Sequence, residues 1–244
     1  MEKINQFADI LKNSKKIVFF GGAGVSTESG LKDYRSKDGI YNTYNKYGIP
    51  PEEIISIDYF YENPAVFYDF YREYFISNAQ PNSAHKAIAD LEKLGKKVTV
   101  VTQNVDGLHQ KAGSTDVVEL HGSASVYYCE KCGANHTTEY VADTSRPVPY
   151  CTKCGGVVRP HVTLYGEGLD QLVVERAIRA MWEADTLIIG GTSLTVYPAS
   201  GFIDYFQGDN IVVINKQATH SDSKADLVFH DSIGRVMSAA VAKL

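Results

Sequence analysis

The fold of this chain is decided by the stretch Lys97-Val-Thr-Val-Val-Thr102, which runs directly into Gln103-Asn104-Val105-Asp106. A short apolar run of this kind is typical of a parallel strand that is buried on both faces. Open α/β sheets bind ligands in the crevice beyond the carboxyl ends of such strands. The polar residues that follow Thr102 are therefore candidates for a binding site.

A second strand ends in polar residues soon afterwards. The run 116–120 stops at His121-Gly122. Two adjacent parallel strands bring their carboxyl ends to the same edge of a sheet, so Asp106 and His121 are expected in one cleft. This pairing suggests a site for proton transfer.

Strand and helix patterns alternate along most of the chain, which predicts an α/β fold with a doubly wound parallel sheet. Two stretches break the alternation: 36–79, rich in Tyr and Phe, and 123–158, which holds every cysteine. We interpret both as insertions that form a smaller lobe, leaving 1–35, 80–122 and 159–244 as a discontinuous larger domain. The predicted strands are 16–20, 97–102, 116–120, 186–189, 211–214 and 226–229, and the predicted helices are 4–11, 83–94, 169–184 and 233–244.

Length and composition are those of an ordinary globular protein, with 244 residues, 44% hydrophobic and 22% charged. A net charge of −5 without a basic run argues against direct nucleic-acid binding. The amino terminus has no signal-peptide pattern, and no apolar stretch approaches the roughly 18 residues of a membrane span. We expect a cytoplasmic, monomeric protein with no membrane contact.

A glycine-rich loop, Gly21-Gly22-Ala23-Gly24-Val25-Ser26-Thr27, follows the first strand. Free backbone N–H groups in such a loop can bind a diphosphate, although many loops of this type are only tight turns. Thr27 stands where the dehydrogenase fingerprint has its third glycine, which disfavours a hydride-transfer enzyme. The following Tyr34 and Arg35 add an aromatic face and a cation, suited to a ribose and a flat ring.

The four cysteines form two C-x-x-C pairs, Cys129 with Cys132 and Cys151 with Cys154, separated by 18 residues. This spacing is typical of a structural zinc ribbon. Four thiolates fill a tetrahedral shell, so one Zn²⁺ would stabilise the lobe and take no part in catalysis. Two disulfides or a redox dithiol are the alternatives.

Polar groups also follow two later strands. Hydroxyls of Thr192, Ser193 and Thr195 come after residues 186–189, and Asn215 comes after residues 211–214. These side chains can bind phosphate or ribose oxygens, or they can simply cap their turns. Four polar strand ends at one sheet edge favour binding.

The most specific motifs of the chain are Gly22-Ala-Gly-Val-Ser26, Thr102-Gln-Asn-Val-Asp-Gly-Leu-His109, Glu119-Leu-His-Gly122, the cysteine pairs, Arg159-Pro-His-Val-Thr-Leu-Tyr-Gly-Glu167 and Gly191-Thr-Ser-Leu194. Together they resemble the sirtuin family, and the match covers nearly the whole chain in order. Sirtuins are NAD-dependent protein lysine deacylases with a Rossmann-like large domain and a small domain made of a zinc ribbon and a helical module.

The resemblance implies a set of roles. His121 is the general base, and acyl-lysine protein substrates bind near Thr163 and Tyr165. The expected products are free lysine, nicotinamide and O-acyl-ADP-ribose. The resemblance also implies that NAD binds as co-substrate. Its diphosphate and nicotinamide ribose would contact Ala23, Thr27, Tyr34 and Arg35, and its nicotinamide would contact Gln103, Asn104, Val105 and Asp106. Its adenosine would contact Thr192, Ser193, Asn215 and Asp231, and Gly22, Gly24 and Gly191 complete the cofactor-binding set.

The chain departs from the family pattern at positions that concern the acyl group. Sirtuins that favour acidic acyl groups carry a Tyr-x-x-Arg pair in the helical module, whereas this chain has Tyr68-Asp-Phe-Tyr71. Arg72 is one residue further on, about 100° around a helix. We therefore expect neutral acyl groups to be preferred over succinyl.

Two other functions are compatible with the same residues. A protein ADP-ribosyltransferase would also bind NAD and release nicotinamide. A non-catalytic NAD-sensing module built on the zinc ribbon would bind NAD without turnover, although the presence of both Asp106 and His121 argues against it.

Overall fold

The computed structural model describes residues 2–34, 36, 39–43 and 47–244. Helix α1 (Glu2–Asn13) opens the chain and buries Phe7 and Leu11. Strand β1 (Lys16–Gly21) follows, with every residue after Lys16 buried. Burial on both faces explains why this strand is a continuous apolar run.

The large sheet contains the six strands that the sequence predicts. Besides β1 they are β2 (Lys97–Thr102), β3 (Val117–Glu119), β7 (Thr186–Gly190), β8 (Asn210–Ile214) and β9 (Leu227–Phe229). They lie in the order β3-β2-β1-β7-β8-β9, and all neighbouring pairs are parallel. The prediction of a doubly wound parallel sheet is therefore confirmed.

Successive residues of β1 enter different cores, as the two-residue period of a strand requires. Phe19 packs in the core under α1, α5 (Ser83–Lys93) and α9 (Ile233–Val241). Phe20 packs in the core under α8 (Gln171–Glu183). The remaining helix of this lobe is α6 (Leu108–Ala112). Within the described ranges, no helix has the length and apolar character that crossing a bilayer would require.

The smaller lobe has its own core, built largely from aromatic side chains. Phe60, Phe67, Phe70 and Tyr71 pack with Tyr127 of the second sheet. The strands of that sheet are β4 (Gly122–Cys129), β5 (Asn135–His136) and β6 (Val158–Val162). They are antiparallel and lie in the order β5-β4-β6. The helices around the sheet are α2 (Pro51–Ile54), α3 (Ile57–Glu62), α4 (Pro64–Tyr74) and α7 (Thr138–Ala142).

Strand β6 extends the small sheet beyond the border that the sequence predicts. Residues 159–162 were expected in the large domain, but His161 pairs with Ser123 and Val162 with Gly122. Because β6 pairs with β4 as far as Val162, the small sheet ends directly before the segment that follows Val162. This segment leads directly to the site.

Candidate active site

The loops after β1 and β7 meet where the strand order reverses, the usual place for a ligand in an open α/β sheet. Gly24 donates its N–H to Gly191 O at 2.8 Å. A Cβ on Gly24 would lie 2.8 Å from that oxygen. Gly191 has φ of +60°, and a Cβ there would lie 2.3 Å from Val25 N. Glycine is thus required at both positions for the two loops to approach this closely.

A cavity of about 1020 Å³ opens at this edge of the sheet. It is lined by almost all of the site residues that the sequence predicts. Arg35 lies outside the described residues, and Asp106 lines a second cavity of about 500 Å³ that shares Gln103, Asn104 and Val105 with the first. The predicted residues in the larger cavity are Gly22, Ala23, Gly24, Thr27, Tyr34, Gln103, Asn104, Val105, His121, Thr163, Tyr165, Gly191, Thr192, Ser193, Asn215 and Asp231.

A hydrogen-bond network holds Asp106 at the end of β2. Ser26 Oγ donates to Asp106 Oδ2 at 2.6 Å and accepts from Asn104 Nδ2 at 3.1 Å. His85 Nε2 lies 3.5 Å from the same hydroxyl. Neither Ser26 nor His85 was assigned to the site from the sequence. For Ser26 a signal was available, because a hydroxyl directly after a glycine loop is well placed to reach the next strand end.

His121 has the geometry of a general base. Its Nδ1 lies 2.9 Å from Gln103 O. Because a carbonyl oxygen only accepts, Nδ1 carries the proton and Nε2 keeps its lone pair. Burial lowers the pKa of His121, opposed by the hydrogen bond to Gln103. The imidazole is therefore neutral near pH 7 and able to take a proton at Nε2.

At the other end of the cavity Asn215 orders the loop after β7. Its Oδ1 accepts from Thr192 N at 3.1 Å, and its Nδ2 donates to Thr192 O at 3.2 Å. Gln103 Nε2 donates to Thr192 Oγ1 at 3.1 Å, which ties this loop to the end of β2. Asp231 forms an ion pair with Arg235 on the first turn of α9. Asn215 thus combines the turn-capping role and the cavity position that the sequence left as alternatives.

The segment 163–167, which follows β6, is fixed by backbone bonds to both lobes. Thr163 N donates to His121 O at 2.9 Å. Tyr165 N donates to Ile55 O at 3.0 Å, and Tyr165 O accepts from Ile57 N at 2.9 Å. The predicted substrate residues therefore lie between the general-base candidate and the helices of the small lobe.

The four cysteines converge in the small lobe, and none of them lines the cavity. All are free, and their Sγ atoms lie within 4.8 Å of one another. The pairs Cys129/Cys154 and Cys132/Cys151 have Sγ separations of 3.4 and 3.8 Å. Tetrahedral zinc with Zn–S bonds of about 2.3 Å separates its sulfurs by roughly 3.8 Å. The cluster fits one structural Zn²⁺ and not two disulfides, whose sulfurs are about 2.05 Å apart.

Comparison with known proteins identifies the family. Residues 22–198 match the model of the Sir2 family. An NAD-dependent protein deacetylase of Clostridium acetobutylicum is 50% identical over 242 residues, covering 99% of each chain. One from Clostridium perfringens is 52% identical, covering 98% of this chain and 99% of its own. A solved Sir2 variant with a deacetylated p53 peptide and 3′-O-acetyl ADP ribose is 35% identical, with a TM-score of 0.91 and 98% coverage of both chains. The chain therefore belongs to the Sir2 family, the sirtuins.

Proposed function

We propose that this protein is an NAD-dependent protein lysine deacetylase that releases nicotinamide, deacylated lysine and O-acyl-ADP-ribose. The observation that carries the proposal is His121, held by Gln103 O in its base-competent tautomer, in the same cavity as the glycine loop. The relatives described above bear this activity in their names. The matched Sir2 variant binds the two kinds of product that the reaction would form.

The cavity fits NAD in size and chemistry. Its volume lies at the upper end of the roughly 300–1,000 Å³ of small-molecule sites. Loop N–H groups and hydroxyls beside Gly22, Ala23 and Thr27 would hold the diphosphate, and Thr192, Ser193 and Asp231 would surround the adenosine. Bound there, NAD supplies an activated ribose carbon whose bond to nicotinamide can be exchanged for one to the acyl oxygen.

The residues at the end of β2 would select and orient nicotinamide. Ser26 holds Asn104 and Asp106 in place, and Asp106 Oδ1 also accepts from Leu108 N at 2.9 Å, so the amide and the carboxylate are preorganised to meet a carboxamide. His121 Nε2 would take the proton from a ribose hydroxyl so that the ribose oxygen can attack the acyl carbon. Gln103 O holds the Nδ1 proton throughout and stabilises the charge on the ring.

The protein substrate would bind as an added strand along 163–167 and 192–196. Backbone pairing of this kind tolerates many sequences, which suits an enzyme of broad protein specificity. The zinc ribbon would stabilise the lobe that carries one side of this groove. Cytoplasmic location, a monomeric state and the lack of a nucleic-acid partner stay predictions from composition.

The helical module supports a preference for neutral acyl groups. Tyr71 lines the cavity and donates its hydroxyl to Ala124 O at 3.0 Å. Arg72 donates to Val141 O and Arg146 O at 2.7 Å and to Pro147 O at 3.2 Å. Carbonyl oxygens of the zinc ribbon therefore occupy the guanidinium donors of Arg72, which leaves this side chain unsuited to binding an acidic acyl group. Faster turnover of a succinyl-lysine peptide than of its acetyl counterpart would overturn this proposal.

Mass spectrometry of the protein with NAD and an acetyl-lysine peptide tests the function directly. We expect deacetylated peptide with matching amounts of nicotinamide and O-acetyl-ADP-ribose, all lost in His121→Ala. ADP-ribose attached to protein without deacetylation would indicate the transferase alternative. NAD binding without any nicotinamide release would indicate the non-catalytic module.

A further inference from the structure

Arg159 is a buried cation at the junction of three parts of the molecule. Its side chain is 8% exposed and lies on β6 between two carboxylates. Nη1 is 3.5 Å from Glu130 Oε1, directly after the zinc-ligand candidate Cys129, and Nη2 forms an ion pair with Glu167. The guanidinium also lies 5.7 Å from the ring centroid of Phe60 in the helical module.

Glu167 in turn closes the substrate segment into a turn. Its Oε2 accepts from Leu164 N at 2.9 Å, and its own N–H donates to Leu164 O at 3.0 Å. Gly166 lies inside this turn with φ of +92°, a conformation that only glycine adopts without strain. One carboxylate oxygen therefore joins the backbone of the segment to the guanidinium of Arg159.

Stability alone does not account for these ion pairs, in which the guanidinium is 8% exposed and the side chains of Glu130 and Glu167 are 24% and 25% exposed. Removing a guanidinium from water can cost as much as its attraction to the carboxylates returns, and apolar side chains of similar volume are often as stable. The arrangement does fix relative positions, because a planar guanidinium with five N–H donors can orient both carboxylates at once. The ion pair with Glu130 holds the guanidinium against the zinc ribbon. The ion pair with Glu167 then positions the carboxylate that accepts from Leu164 N.

Building on the proposed deacetylase function, we propose that Arg159 is a positioning residue for the acyl-lysine peptide, acting through Glu167 on the backbone of residues 163–167. In the proposed function NAD would bind at the glycine loop and the loop after β7, whereas the hydrogen bonds of Arg159 and Glu167 lead to the backbone of Val162 and Leu164. Disturbing Arg159 should therefore weaken peptide binding and leave NAD binding nearly unchanged.

The test is Arg159→Lys, because lysine keeps the charge and loses the fork that spans both carboxylates. We expect KM for an acetyl-lysine peptide to rise about tenfold, KM for NAD to change less than about twofold, and the Leu164 amide to exchange hydrogen faster. Glu130→Gln should act in the same direction, with no added effect in the Arg159→Lys background. The matched control is Arg146→Lys, which alters an exposed ion pair with Asp143 in the same lobe and should change none of these values.

Several results would overturn the proposal. They are an unchanged peptide KM with unchanged Leu164 exchange, equal rises of both KM values, or effects of Glu130→Gln and Arg159→Lys that simply add. If wild-type protein does not deacetylate the peptide, the proposed function fails, while Leu164 exchange and calorimetric peptide affinity still decide the positioning role. If Arg159→Lys does not fold, Glu130→Gln carries the same measurements.

Discussion

Acidification should destabilise this protein through a buried histidine on α6. His109 is 1% exposed, and its ring lies 4.7 Å from that of His85 and 5.8 Å from that of Phe19. Neither ring nitrogen has a hydrogen-bond partner among the residues that the structure describes. Burial, together with the neighbouring His85, lowers the pKa of His109 to about 3. The folded protein thus keeps this ring neutral far below its ordinary pKa.

The sign and size of the effect follow from linkage. An unfolded chain binds a proton on His109 with a pKa of about 6.5, whereas the folded chain does not until about 3. Between these values the unfolded state holds more protons, so stability falls as pH falls. A pH of about 5 lies roughly 1.5 pH units below the unfolded-state pKa of about 6.5, and each unit changes the free energy of unfolding by about 1.36 kcal/mol. His109 alone should therefore lower the free energy of unfolding by about 2 kcal/mol between about pH 7.5 and about pH 5.

Urea denaturation of wild type and His109→Leu at about pH 7.5 and pH 5 measures this contribution. Leucine does not titrate and fills a similar space. The pH-dependent loss of unfolding free energy should be about 2 kcal/mol smaller in the variant, since the titrating groups distant from His109 are common to both proteins and cancel in the difference. Equal losses in the two proteins would refute the reasoning, and so would a folded-state titration of His109 near pH 6.5 observed by NMR.

Three further predictions concern the site. Gly24→Ala should raise KM for NAD about tenfold, because its Cβ would lie 2.8 Å from Gly191 O. The control Gly168→Ala, whose Cβ would have no atom within 4 Å, should leave KM for NAD unchanged. Equal KM values in the two variants would contradict the close packing of the two loops. Deacetylation rate should rise with pH with an apparent pKa below about 6.5, because burial lowers the pKa of His121; a value above that would exclude it as the base. Elemental analysis should find one zinc per chain, lost in Cys132→Ser together with a lower Tm, and a metal-free native protein would contradict the fit of the four thiolates.

Much of the large lobe could be predicted because its determinants are local. A buried parallel strand is an apolar run, and its carboxyl end is marked by the change to polar residues, as at Thr102 and Leu120. These signals predicted the six strands and the edge at which the cavity opens. The cysteine spacing likewise predicted the thiolate cluster.

Contacts that join distant parts of the chain could not be predicted in this way. The pairing of Arg159 with Glu130 depends on how β6 aligns with β4, and the approach of His85 to Ser26 depends on how α5 packs on the sheet. The helix Pro64–Tyr74 was not predicted, although Phe67, Phe70, Tyr71 and Tyr74 follow the i, i+3, i+4, i+7 spacing of an amphipathic helix. Side-chain pairing across elements is a property of packing, which one chain's pattern does not encode locally.

The placement of His121 connects the chemistry to both lobes. Its ring is held by Gln103 O at the end of β2, and its own carbonyl accepts from Thr163 N of the substrate segment. The next residue, Gly122, has φ of +77°, and a Cβ there would lie 2.1 Å from His161 O. The chain therefore turns from β3 of the large sheet into β4 of the small one directly after His121. Any change that moves one lobe relative to the other must move His121 with respect to either the predicted nicotinamide residues or the predicted peptide segment, so the proposed base is correctly placed only when the two sheets keep their relative positions.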